Sequence, residues 1–238
     1  ALAQKDQVAL LEKCQKNFES MDVTDYTCLL RRQERLGGFL HPAQEVEVKF
    51  RAEPFSVAMA WTVNPGDGDR CIYVDGQWPD ANGTSQLLVR PTGFLIQIAT
   101  GGSVLRLPKS DDVMRGTRKP ITQFGFENMF TNLLAGYKQA RANGDCDELV
   151  LGGAELSGRQ CIVLQRTVQS PWDESVVPVT KVFIDRDTLL PVRVEGYDLA
   201  DELLFTYEYD QIEMNVGLTD DDFTPQANEI TPPAGTKS

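Results

Sequence analysis

Gln44-Glu45-Val46-Glu47-Val48-Lys49-Phe50-Arg51 is the stretch whose reading decides the fold. Val46, Val48 and Phe50 alternate strictly with Glu45, Glu47, Lys49 and Arg51. A period of two with one apolar side is a half-buried strand of an antiparallel sheet, because parallel strands are covered on both faces and lose the alternation. Outward from this strand, read as Gln44 to Ala52, similar segments follow on both sides. Thr24 to Arg35 precedes it, connected through Gly37-Gly38 and His41-Pro42. After Pro54, one strand face carries Phe55, Val57, Met59 and Trp61 and the other Ser56, Ala58 and Ala60. Asn64-Pro65-Gly66-Asp67-Gly68 turns the chain back into Arg70 to Asp75.

Further strands are expected at Gln86 to Arg90, Gly93 to Thr100 and Ser103 to Leu107, the last two closed into a hairpin by Gly101-Gly102. The final third reads as five more: Glu148 to Glu155, Gln160 to Val168, Val179 to Asp185, Leu190 to Tyr197 and Leu203 to Met214. Two longer helices are legible by their spacing. Val8, Leu11, Cys14, Phe18 and Met21 recur every three or four residues within Lys5 to Ser20. Phe126, Met129, Phe130, Leu133, Leu134 and Tyr137 do the same before a stop at Gly144, and this helix is the more apolar. A short helical piece opens at Ser110-Asp111-Asp112. The expected fold class is α+β: a strongly curved, mostly antiparallel β-sheet with helices covering its concave face. A single domain is expected over residues 1–230, with a flexible C-terminal tail over 231–238.

Composition narrows the partners. The chain has 238 residues, 41% of them hydrophobic, and 35 acidic against 23 basic side chains give a net charge of −12. Such a surface repels a phosphate backbone, so nucleic acid is not an expected partner. No run of about twenty apolar residues is present, so no membrane-spanning helix is expected. The opening Ala1-Leu2-Ala3 reads as the start of a mature, exported chain whose signal peptide or lipid anchor has been removed. Five cysteines, Cys14, Cys28, Cys71, Cys146 and Cys161, fit neither a metal-binding spacing nor a disulfide framework, and packing in the core is the plain reading. Cys14 with Cys28 is the pair to test for a bridge.

Val48 to Trp61 and Cys71-Ile72-Tyr73-Val74-Asp75-Gly76 resemble an uncharacterised family of secreted bacterial proteins, domain of unknown function 1571. Arg118 to Phe126 is similar to that family's helix-entry segment. Phe183 to Arg193 and Asn215 to Phe223 are similar to segments of the periplasmic lipoprotein carriers LolA and LolB. The resemblance implies a LolA-like half-open barrel lidded by helices, at work in the periplasm or cell envelope on a lipid, an acyl chain or a lipoprotein. The apolar groove would then be lined by Val57, Met59, Trp61, Ile72, Val74, Phe94, Ile96 and Ile98. Arg115, Arg118 and Lys119 are candidates for contact with a headgroup or an envelope protein partner. For the strand face of Phe55 to Trp61 an ordinary core role stays equally open.

Catalytic chemistry finds little to build on. The one histidine, His41, sits in a turn, and no Gly-x-Ser-x-Gly elbow accompanies it. Asp67 with Asp69 and Asp185 with Asp187 read as turn residues that cap their own backbone, and Asp220-Asp221-Asp222 as a solvated turn. No catalytic residue, no cofactor, no metal and no enzymatic activity are expected. The alternative to a ligand carrier is a structural or regulatory module that grips a protein partner and exposes an apolar patch.

Overall fold

The computed structural model describes residues 6–232. Its strands hydrogen-bond in the order β7-β6-β5-β4-β3-β1-β12-β11-β10-β9-β8, with β2 beside β1, so the sheet is open and antiparallel. These strands are β1 (Asp25–Leu36), β2 (Phe39–Leu40), β3 (Gln44–Arg51), β4 (Ser56–Val63), β5 (Gly68–Val74), β6 (Leu87–Pro91) and β7 (Val104–Arg106). The later set is β8 (Asp147–Leu156), β9 (Arg159–Thr167), β10 (Val179–Asp185), β11 (Pro191–Tyr197) and β12 (Leu203–Met214). Among the described residues four α-helices accompany them: α1 (Gln7–Ser20), α2 (Phe94–Thr100), α3 (Asp111–Met114) and α4 (Phe126–Ala142). The α+β class with an open antiparallel sheet is as expected. The chain divides into two compact units, and residues of β1 and of β12 belong to both.

One unit holds the described residues up to Asp22, residues 33–35 and Gly125–Asp210. Asp6 caps α1, its carboxylate accepting from the Ala9 amide at 3.1 Å. The apolar stripe legible in the sequence then lies against α4: Leu11 and Cys14 are fully buried with Phe130, Leu134 and Tyr137. Both helices cover the β9–β12 face that presents Leu164, Val182, Val194 and Phe205. Gly196 on β11 stands opposite Phe205 on β12, and a Cβ at 196 would run into the Phe205 ring. Arg166 is buried here, donating to the Val177 carbonyl and the Thr180 hydroxyl, both at 3.0 Å. Its guanidinium lies 5.4 Å from the centre of the Tyr137 ring. At the β10–β11 turn the Asp185 carboxylate accepts from the Asp187 amide, as the sequence leads one to expect.

The other unit comprises Val23–Arg32, Leu36–Phe124 and the residues from Gln211 onward. Its strands β1, β3, β4, β5, β6 and β7 pair in turn. Two sequence expectations are corrected, the first of them in this unit. Residues 93–100 are not a strand: Phe94–Thr100 is the helix α2, and Gly101, with φ 68°, is the left-handed residue that ends it rather than a hairpin turn. A short apolar run carries no periodicity that separates strand from helix, and a glycine pair serves a helix C-cap as well as a turn. The second correction concerns sulfur, since all five cysteines are free thiols and Cys14 and Cys28 are not bridged. Thr231, at the start of the expected tail, accepts a hydrogen bond from the Ser103 hydroxyl at its carbonyl, and Ile230 is buried. The remainder of that tail from 233, and Ala1 to Lys5, lie outside the described residues.

Candidate functional site

Register within the second unit decides which side chains share a face. Val57 stands opposite Tyr73, and Met59 opposite Cys71. Cys71 in turn faces Val89, and Tyr73 faces Leu87. Opposed residues of an antiparallel pair lie on the same side of the sheet. One face therefore carries Val57, Met59, Trp61, Cys71 and Tyr73. Ile72 and Val74 belong to the other face, beside Ala58 and Leu88. The eight apolar candidates thus do not form one lining. Nothing in the sequence signals this, because Cys71, Ile72, Tyr73 and Val74 are all buried and β5 shows no alternation.

The face of Val57 is filled by aromatic packing. Tyr26 stacks on Phe50 with ring centres 4.7 Å apart, and Phe50 meets Phe55 edge-on at 5.6 Å. Phe55 continues to Tyr73 at 6.0 Å, and Phe124 lies 6.1 Å from Phe50. Val57 is fully buried in this array, while Met59 and Trp61 are half-buried towards Val113 and Ile121. Burial pushes the Cys71 thiol up to about 12, against the smaller downward pull of Arg32.

The opposite face is closed by the segment after β12. Phe223 and Ile230 pack on Ala58, Ile72, Val74 and Leu88. Ion pairs hold the segment in place: Arg51 with Asp220 at 2.8 Å and Arg70 with Glu229 at 3.1 Å. The Arg51 guanidinium also lies 4.9 Å from the Phe223 ring centre. Ile72 and Val74 are core residues of this clamp. Asp222 is part of a capping box with Thr219, so the acidic run 220–222 is structural.

What stays outward is α2. None of its residues is buried, and Phe94, Leu95, Ile96 and Ile98 are 74%, 78%, 54% and 62% exposed. Leu95 is absent from the sequence-based candidates because an alternating strand would put it on the wrong side. The helix hangs from the strand end by the Gln97 side-chain amide, which donates to the Pro91 carbonyl at 2.9 Å. Thr92 just before it donates its hydroxyl to Gly66 and its amide to Asp67, at 2.7 and 2.8 Å. Sequence reasoning also misses two further exposed groups at this end: Phe39 (77%) with Leu40 in β2, and Val63 closing β4. Apolar side chains beside Gly37-Gly38 and Asn64-Pro65 are the available signal.

The basic segment is tied to the same end of the sheet. Arg32, at the β1 position opposite Gln44, donates its Nε to the Gln44 side chain at 2.7 Å. Its Nη2 donates to the Gly116 carbonyl at 3.2 Å and its Nη1 to the Thr117 hydroxyl at 3.3 Å. The guanidinium lies 5.8 Å from the Trp61 ring centre, and the Trp61 indole also donates to Gln44. Arg115, Arg118 and Lys119 are exposed on the segment so held. His41 is exposed in the loop before β3. Among the described residues no group of three or more His, Cys, Asp and Glu side chains is arranged to hold a metal ion.

An open antiparallel sheet with helices on it, and an apolar helix left uncovered at one strand end, defines an α+β protein. The chain belongs to the family described as protein of unknown function DUF1571, whose model matches residues 23–231. No curated protein matches it. Among solved structures it is similar to an uncharacterized conserved protein from Thermus thermophilus, at 10% identity and TM-score 0.49, over 95% of this chain and 96% of that one. It is also similar to the lipoprotein LppX of Mycobacterium tuberculosis, at 15% identity and TM-score 0.44, over 90% and 99% of the two chains. A LolA superfamily protein from Nitrosomonas europaea matches at 11% identity and TM-score 0.26, over 92% and 97%.

Proposed function

We propose that the protein is a binding protein of the bacterial periplasm or cell envelope for an apolar ligand, a lipid, acyl chain or lipoprotein, acting as carrier or sensor without catalysis. The observation that carries the reading is α2, where four large apolar side chains stay more than half exposed on one short helix. Such a helix gains little from its own packing, and contiguous exposed apolar surface marks a place where something apolar binds. Each methylene buried contributes roughly 0.8 kcal/mol. A chain of about twelve carbons therefore offers on the order of 10 kcal/mol before the ordering costs of association. Half-buried Met59 and Trp61 supply adaptable surface for the same ligand. Val57, Ile72 and Val74 are assigned to the core instead.

The test is native mass spectrometry of protein purified from its own envelope fraction, before and after organic extraction. An excess mass that extraction removes, together with uptake of a fluorescent fatty acid, supports the reading. No excess and no uptake overturn it. The protein-interaction reading is favoured by a different feature. Strand β8 ends the sheet order, runs for ten residues and leaves Leu149 and Leu151 about half exposed, a template for an added strand. Capture of one protein partner, lost when Leu151→Lys is introduced, would move the assignment there.

A further inference from the structure

One end of the second unit's sheet collects apolar tips from three separate pieces of chain. Phe39 and Leu40 come from the β1–β3 connection, and Val63 from the end of β4. Phe94, Leu95 and Ile96 come from α2. Hydrogen bonds place these pieces together. Gln44 donates to the Asn64 carbonyl at 2.8 Å, and the turn that follows Asn64 receives Thr92, which leads into α2. The basic segment joins the same end through Arg32, whose Nε donates to Gln44. Across the five neighbouring strands β1, β3, β4, β5 and β6 this end is about 19 Å wide, at roughly 4.8 Å per strand.

We propose that this end docks on an anionic lipid surface, the apolar tips entering the interface and Arg115, Arg118 and Lys119 contacting headgroups. The inference rests on the ligand-binding reading in one respect, that the exposed face of α2 meets lipid. It goes further in naming a bilayer as partner and in recruiting residues outside α2. Charge selects the occupant. In a chain of net charge −12, three exposed cations stand within five residues of one another beside the exposed apolar groups. Of the carboxylates at this end and on the basic segment, Glu45 pairs with Arg31 at 3.0 Å, Asp69 with Arg90 at 2.8 Å and Asp112 with Arg106, while Asp67 and Asp111 are exposed. The acidic remainder does not forbid approach, because charges farther from the membrane than a Debye length of about 8 Å are screened at physiological salt. Separate tips flanked by cations are the pattern of interfacial binding, which combines insertion of apolar groups with attraction to anionic headgroups.

Flotation of the protein with vesicles tests the proposal. One set is phosphatidylcholine, the other phosphatidylcholine with phosphatidylglycerol. The protein is expected to float with the anionic set, less so as salt rises. The triple variant R115E/R118E/K119E is expected to lose affinity on the order of a hundredfold, and F94S/I96S and Phe39→Ser to weaken binding on the same vesicles. All these positions are exposed, so unchanged unfolding temperatures check that the variants fold. Equal binding to both sets, no binding to either, or a charge variant that floats like the parent overturns the docking face. Fatty-acid uptake measured without vesicles separates the two readings. Uptake without flotation keeps the ligand reading and sinks docking, and flotation without uptake does the reverse.

Discussion

Gly196 and the cysteines show how single positions in this protein are constrained by their surroundings. The ring of Phe205 occupies the space where a side chain at 196 would start, so Gly196→Ala must displace an aromatic side chain in the core under α4. The expected loss is about 1–3 kcal/mol, read as a lower midpoint in urea unfolding with an unchanged slope. An unchanged midpoint would show that Phe205 has room to move. Cys14, Cys28 and Cys71 are buried, and burial pushes their thiols up to about 11, 12 and 12. Ellman's reagent at mildly alkaline pH is therefore expected to modify the half-exposed Cys146 quickly and these three only on unfolding. Raised folded values also fix the sign of a pH effect. The unfolded thiols ionise near 9.0 while the folded ones keep their protons, so this contribution is complete below 9.0 and is lost as pH climbs from there towards 12. A melting temperature flat across that window contradicts it.

At the scale of elements, the sequence is most legible where one face is wet. β3 alternates and its bounds are readable to within a residue, while β10 and β12 lie where their patterns put them. The stripe Phe126 to Tyr137 reveals α4 because only one side of a 3.6-residue period is apolar. Two elements hide their geometry for physical reasons. β5 is covered on both sides, so no alternation tells which of its residues accompany Val57. α2 is a seven-residue apolar run whose helical state is settled by Gly101 and Gly102 behind it. The clamp after β12 looks in sequence like a solvated acidic turn followed by a Pro-bearing stretch, although Phe223 and Ile230 are each only 3% exposed. Phe223→Ala is expected to destabilise by about 3–5 kcal/mol, beyond what an exposed phenylalanine such as Phe94 would show. Matched thermal melts of the two alanine variants decide it, and equal melts would mean the clamp adds nothing.

For the whole molecule the governing quantities are its net charge of −12 and its uncovered apolar groups. No helix among the described residues is long and apolar enough to cross a membrane. Long-range repulsion keeps such molecules apart at neutral pH, and it vanishes near the sequence isoelectric point of about 4.6. Lowering the pH towards that value is expected to produce reversible self-association that mild detergent suppresses, followed by light scattering. Association that detergent leaves untouched would point to contacts other than the exposed apolar tips.

The clamp also bears on how the chain is made. Leu88 and Ile230, neighbours in the finished core, are separated by about 140 residues of synthesis. At roughly 5–20 residues per second, the ribosome delivers the second about 7 to 30 seconds after the first. Throughout that interval the side of β4, β5 and β6 bearing Ala58, Ile72 and Leu88 is without its cover. A nascent chain of this protein therefore presents a greasy sheet to its cellular escort until nearly the last residues described here arrive.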